Sequence, residues 1–122
     1  MRVLYVEDND QLRESITLLL QDDGREVCPC TTAEEALELD APRPFDLVIT
    51  DVTLPGLSGL ELSARLLDAD IARWIVLCSG YQLDEQIRDL GGANVRALVK
   101  PFGIDELESL VDSVQTALDQ AR

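Results

Sequence analysis

Histidine is missing from the 122-residue chain. Its absence removes imidazole acid–base chemistry, Ser-His triads, most zinc sites and any phosphohistidine carried by this chain. Lysine is nearly missing: Lys100 stands alone, and every other basic residue is arginine. Cysteine is confined to Cys28, Cys30 and Cys78. An odd number of thiols, with a strand directly after Met1 and no room for a signal peptide, predicts a reducing, cytoplasmic setting. Cys28 and Cys30 flank Pro29 on a strand with no further ligands nearby, so they read as packing residues rather than a metal or redox pair. Cys78 reads as core. No apolar run approaches the ~18 residues that span a bilayer. Positive charge is scarce, and the net charge of -14 argues against direct binding to nucleic acid or insertion into an anionic membrane.

What remains is 46% apolar and 28% charged residues, suited to one soluble domain over residues 1–122 with no output domain in this chain. Five short apolar runs are predicted as strands: 2–6, 27–30, 46–50, 74–78 and 95–99. Between them lie helix patterns. Asn9 and Asp10 cap the first, whose stripe is Leu12, Ile16, Leu19 and Leu20, and Gly24 stops it. Thr32 to Glu35 and Ser58 to Glu61 have capping-box spacing. Leu83, Ile87 and Leu90 mark a short fourth helix before Gly91-Gly92. The fifth begins at Gly103 and carries Leu107, Leu110, Val111, Val114 and Leu118. Strict strand–helix alternation predicts a parallel sheet covered on both faces. Pro29 cannot donate to a ladder and puts the second strand at an edge. The predicted fold is therefore α/β and flavodoxin-like: a doubly wound five-stranded sheet of order 2-1-3-4-5, with five helices.

Charge then appears at strand ends. Glu7-Asp8 follows the first strand, Asp51 the third, Ser79 the fourth and Lys100-Pro101 the fifth. The order 2-1-3-4-5 brings the first and third ends to a switch point, where ligands bind beyond the carboxyl ends. Three carboxylates in one crevice repel unless a proton or a cation intervenes, and a hard divalent ion is the natural partner. One acid is then a nucleophile toward a phosphoryl group, with Lys100 and the Ser79 hydroxyl serving its oxygens.

These residues resemble a known family. Val6-Glu7-Asp8, Ile49 through Gly56, Leu77-Cys78-Ser79-Gly80-Tyr81 and Val99-Lys100-Pro101-Phe102 together resemble the bacterial response-regulator receiver domain of two-component signalling, across essentially the whole chain. The resemblance implies that Asp51 is the phospho-acceptor, with Lys100 and Ser79 contacting the phosphoryl group. It implies Mg²⁺, with Mn²⁺ as an alternative, held by Asp8, Asp51, the Thr53 backbone carbonyl and, through water, Glu7. It implies a cis bond before Pro101. The implied phosphate donor is a histidine kinase or a histidine phosphotransfer protein. Phosphorylation would shift the face made by the fourth helix, fifth strand and fifth helix, toward a downstream protein target, a linked output domain or a phosphorylation-dependent homodimer. The family's switch aromatic lies three residues before the lysine, where this chain has Ala97. Either Tyr81 takes over part of that role or the output needs no rotamer change. Thr53 and Tyr81 would flank the attacking water and set the phosphate lifetime. The domain would catalyse its own phosphorylation and dephosphorylation without being a turnover enzyme.

Three rivals compete. A haloacid-dehalogenase-like phosphatase wants a second acid two residues after the nucleophile, where this chain has Thr53. A flavodoxin would place an FMN phosphate against Glu7-Asp8-Asn9-Asp10, which repels it. A degenerate receiver serving only as a protein-interaction module has no need of the intact acids, serine and lysine.

Overall fold

The computed structural model describes residues 1–21 and 24–121. The five apolar runs are the strands β1 (Arg2–Val6), β2 (Glu26–Cys30), β3 (Leu47–Asp51), β4 (Trp74–Ser79) and β5 (Val95–Val99). The helices are α1 (Asp10–Gln21), α2 (Ala33–Asp40), α3 (Gly59–Ala69), α4 (Asp84–Leu90) and α5 (Ile104–Gln120). The sheet runs β2-β1-β3-β4-β5 with every pair parallel. Pro29 lies on the edge strand opposite Tyr5, where its missing N–H costs no ladder bond.

Alternation along each strand divides the core in two. Leu4, Val6, Val48, Ile75 and Leu77 point to one face and pack with Ala33 and Ala36 of α2, with Leu62 and Leu66 of α3, and with Leu83. Val3, Tyr5, Ile49, Val76 and Cys78 point to the other, under Ile16 and Leu20 of α1 and Leu107, Val111 and Val114 of α5. Each such aliphatic side chain contributes on the order of 1.5–3 kcal/mol when fully buried. All three thiols are free, and burial pushes Cys30 and Cys78 up to about 12, keeping them protonated.

The helices start where side chains satisfy their first N–H groups. Asn9 Oδ1 accepts from Leu12 N at 2.9 Å, and Thr32 Oγ1 accepts from Glu35 N at 3.1 Å. At α3 both halves of the capping box form between Ser58 and Glu61. Such caps contribute about 1 kcal/mol each. At α4, Leu83 stands at the N-cap with no side-chain bond, and none of the helix's own residues is fully buried. Gly91, at φ +79°, ends it in the left-handed conformation that a side chain resists.

At the amino ends of the strands, buried charges are matched. The Arg73 guanidinium grips both Asp40 oxygens, at 2.7 and 3.0 Å, and Asp40 in turn accepts from Phe45 N at 3.0 Å. Arg2 lies over the Phe45 ring, 4.2 Å from its centroid, while its backbone N–H donates to Asp46 at 2.7 Å. These contacts tie α2, the approach to β3 and the approach to β4 into one frame. That frame fixes the register carrying Asp51 to the far end.

Candidate functional site

β1 is followed at once by Glu7, whose N–H donates to Cys30 O at 3.0 Å. That bond prolongs the β1–β2 ladder by one residue and draws the carboxylate inside, where Glu7 is 2% exposed. Asp51 is the last residue of β3 and is also buried, whereas Asp8 faces solvent. The three residues bring carboxylate oxygens within 4.8 Å of one another. From across the sheet, Lys100 places its ammonium 2.9 Å from Asp51 Oδ1. Its backbone N–H bonds to Ser79 O at 2.7 Å, so β4 and β5 hold the lysine in register with the acid. The Lys100–Pro101 peptide is cis.

The electrostatics follow from this crowding. Burial, then the hydrogen bond and charge of Asp51, push Glu7 from its ordinary 4.5 up to about 8; the Asn9 N–H, 3.2 Å away, and Lys100 only partly oppose this. Without a cation, this crowding favours the protonated form of Glu7. Burial pulls the Lys100 ammonium down, but the carboxylates of Asp51 and Glu7 outweigh it and hold the group above its ordinary value. Beneath the cluster, burial and then Glu7, Cys78 and Asp51 push Tyr5 upward, so its phenol stays neutral. Every candidate ligand here is a hard oxygen, and one ammonium does not balance three acids. That donor set fits a hard divalent cation of the Mg²⁺ class.

The remaining predicted residues divide. Ser79 is buried at the end of β4, but its hydroxyl is turned into its own loop: it donates to the Tyr81 carbonyl and accepts from Tyr81 N at 3.3 Å. Tyr81 is exposed, and so is Thr53, in the turn after β3. Ala97 pairs with Leu77 in the ladder, yet it is exposed and forms open surface on β5. Thus Glu7, Asp8, Asp51 and Lys100 come together, Ser79 stands beside them facing away, and Thr53, Tyr81 and Ala97 lie at the rim or beyond.

Two contributors were not legible as such. Gly59 reads in sequence as a residue that keeps the rim uncrowded; a Cβ there would stand 2.0 Å from the Asp51 carbonyl oxygen, so only glycine lets α3 begin against the end of β3. Arg13 carries no motif that singles it out in the sequence. Its Nη1 donates to the Glu7 carbonyl at 2.9 Å and its Nη2 pairs with Asp10 Oδ1 at 2.7 Å.

A carboxylate cluster and a lysine at the carboxyl ends of a 2-1-3-4-5 parallel sheet define a class of phosphoryl-handling signalling domains, and sequence comparison agrees. The family model described as the response regulator receiver domain matches residues 3–112, and the chain belongs to that family. It is therefore a signalling domain of two-component systems, of which phosphorylation and Mg²⁺ are typical. It is 30% identical over 115 residues to the cell cycle transcriptional regulator CtrA of Caulobacter vibrioides, covering 93% of this chain and 50% of that protein. The chain thus spans about half the length of the curated relatives it matches. Among solved structures, the response regulator TrrA of Thermotoga maritima, in complex with Mg²⁺-BeF, is 31% identical with a TM-score of 0.81, over 93% of this chain and 97% of that one. The receiver domain of the hybrid histidine kinase CckA is 30% identical with a TM-score of 0.78, over 93% and 98%. Among the described residues, no helix is long and apolar enough to cross a membrane.

Proposed function

We propose that Asp51 accepts a phosphoryl group from a phosphohistidine on a histidine kinase or histidine phosphotransfer protein, and that the resulting charge is read out on the α4–β5–α5 face. The observation that carries this reading is the 2.9 Å pairing of Lys100 with Asp51 inside the Glu7–Asp8–Asp51 cluster. An Asp51 oxygen attacks phosphorus, the P–N bond breaks, and its electron pair returns to the imidazole, leaving an acyl phosphate. The Lys100 ammonium moves its attention from the carboxylate to the phosphoryl oxygens. Asp8, Asp51, the Thr53 carbonyl and, through water, Glu7 would hold Mg²⁺, with Mn²⁺ as a substitute. Bound there, the ion would supply positive charge opposite the transferring group.

Hydrolysis returns Asp51 and inorganic phosphate, with Thr53 and Tyr81 flanking the water, so the domain times its own signal and does not turn over a pool of substrate. Readout begins at Ser79. Drawing its hydroxyl to the phosphoryl group breaks its bond to the Tyr81 carbonyl and frees the loop ahead of α4, the helix with no fully buried residue of its own. Tyr81 and the open surface at Ala97 then replace an aromatic switch. The altered face meets a downstream protein, a linked output domain or a second phosphorylated copy, in the cytoplasm. The acids and lysine that favour this reading leave no role for a degenerate module, and Thr53 stands where a haloacid-dehalogenase-type phosphatase needs an acid.

Incubation with Mg²⁺ and acetyl phosphate or phosphoramidate tests the proposal by intact mass. One added phosphoryl group is expected, absent in Asp51→Asn and in chelator. Unmodified wild-type protein under both donors would overturn it.

A further inference from the structure

The segment from Glu7 to Asp10, the first residue of α1, is a loop only four residues long, yet Glu7 and Asp8 must face one point while a helix starts immediately behind them. Its restraints can be enumerated. Glu7 N is tied to Cys30 O, Asn9 N reaches a Glu7 carboxylate oxygen at 3.2 Å, and Asn9 Oδ1 caps α1. The Glu7 carbonyl is bound by Arg13, whose two terminal nitrogens span Glu7 O and Asp10 Oδ1, at 2.9 and 2.7 Å. Those two acceptors sit at the two ends of the loop. The guanidinium is therefore a brace across it, with its side chain four-fifths buried. A planar fork suits this task, because two donors are fixed relative to one another; a lysine offers a single point contact.

We infer that Arg13 is a positioning residue for the cation site: it fixes the peptide plane of Glu7, and so the direction of the Glu7 and Asp8 carboxylates, without touching the ion or the phosphoryl group. The inference rests on the proposed reading of the cluster as a divalent-cation site. It runs against simple electrostatics. Arg13 is a cation close to the site, so its field alone opposes Mg²⁺ and its removal should tighten binding. Bracing predicts the reverse, since loss of the residues that orient ligands typically weakens metal affinity about tenfold or more.

Titration of the intact protein with Mg²⁺ alone, followed by calorimetry or amide chemical shifts, separates the two. For Arg13→Ala, Kd is expected to rise about tenfold, and for Arg13→Lys, by less. Glu26→Gln, which removes the carboxylate 3.6 Å from Arg2 at the opposite end of the sheet, should leave Kd unchanged. Excess Mg²⁺ should restore the phosphorylation rate of the Arg13 variants from acetyl phosphate, which a general loss of structure would not allow. Melting in chelator reports folding, and if Arg13→Ala does not fold, Arg13→Lys carries the comparison. Unchanged or tighter binding in the folded variants overturns the brace while leaving the receiver chemistry intact. Wild-type protein that does not bind Mg²⁺ overturns both.

Discussion

The two ends of the sheet handle buried charge in opposite ways. At the amino ends, Arg73 and Asp40 are both more than nine-tenths buried, and each closes the other's hydrogen bonds. At the carboxyl ends, Glu7 and Asp51 are just as buried, but they share one half-exposed lysine with Asp8. The first arrangement is complete and the second is short of positive charge. A complete pair has nothing to gain from a ligand and serves to hold elements together. An incomplete cluster stores repulsion that only a proton or an incoming cation relieves, and that stored repulsion makes it responsive.

The contrast can be broken most severely at the matched end. Arg73→Ala leaves Asp40 buried without its counter-charge and is expected to cost about 3–5 kcal/mol in urea unfolding. A loss below ~1 kcal/mol would mean that the pair is no frame at all. At the unmatched end the expected effect is a pH dependence of opposite logic. Glu7 is raised in the folded protein, so between its ordinary 4.5 and about 8 the folded state holds a proton that the unfolded chain has released. In chelator, stability should therefore fall as pH rises across that window and level off above it. Saturating Mg²⁺ should flatten the curve, and a melting temperature independent of pH in chelator would contradict the crowding. The smallest effect sharpens the comparison. Asp51→Asn removes one of three repelling charges and should stabilise the metal-free protein by about 1 kcal/mol, the sign opposite to that of Arg73→Ala. It should also shrink the stabilisation that Mg²⁺ confers. A loss of metal-free stability in Asp51→Asn would place the two ends in the same class.

Much of this was legible in the residues. The short apolar runs with turn residues between them specify strands, and alternation with capped helices specifies a parallel sheet. Pro29 names its own edge position, because a missing N–H is a local property. The acids after the first and third strands and the lysine after the fifth could be assigned to one crevice, because strand order sends those ends to the same place. Less legible were the features that depend on direction rather than sequence position. Ser79 was expected to contact a phosphoryl group, and the sequence did not show that its hydroxyl otherwise closes on the Tyr81 carbonyl. Gly59 looked like a rim residue and is a close-approach point against Asp51. Arg13 carried no signal in the sequence, and its guanidinium reaches the Glu7 carbonyl.

Residue pattern alone determined the elements, their order, the family and which four side chains would meet, because hydrophobic period, capping and chain topology are read one segment at a time. Tertiary structure alone decided that Glu7 is buried while its neighbour Asp8 is not, and that burial beside Asp51 pushes the Glu7 carboxyl above its ordinary value. The same holds for Arg13, which spends its guanidinium on a carbonyl. Each of those outcomes turns on distances of a few ångströms between groups far apart in the chain, and electrostatic and hydrogen-bond energies change steeply over that range.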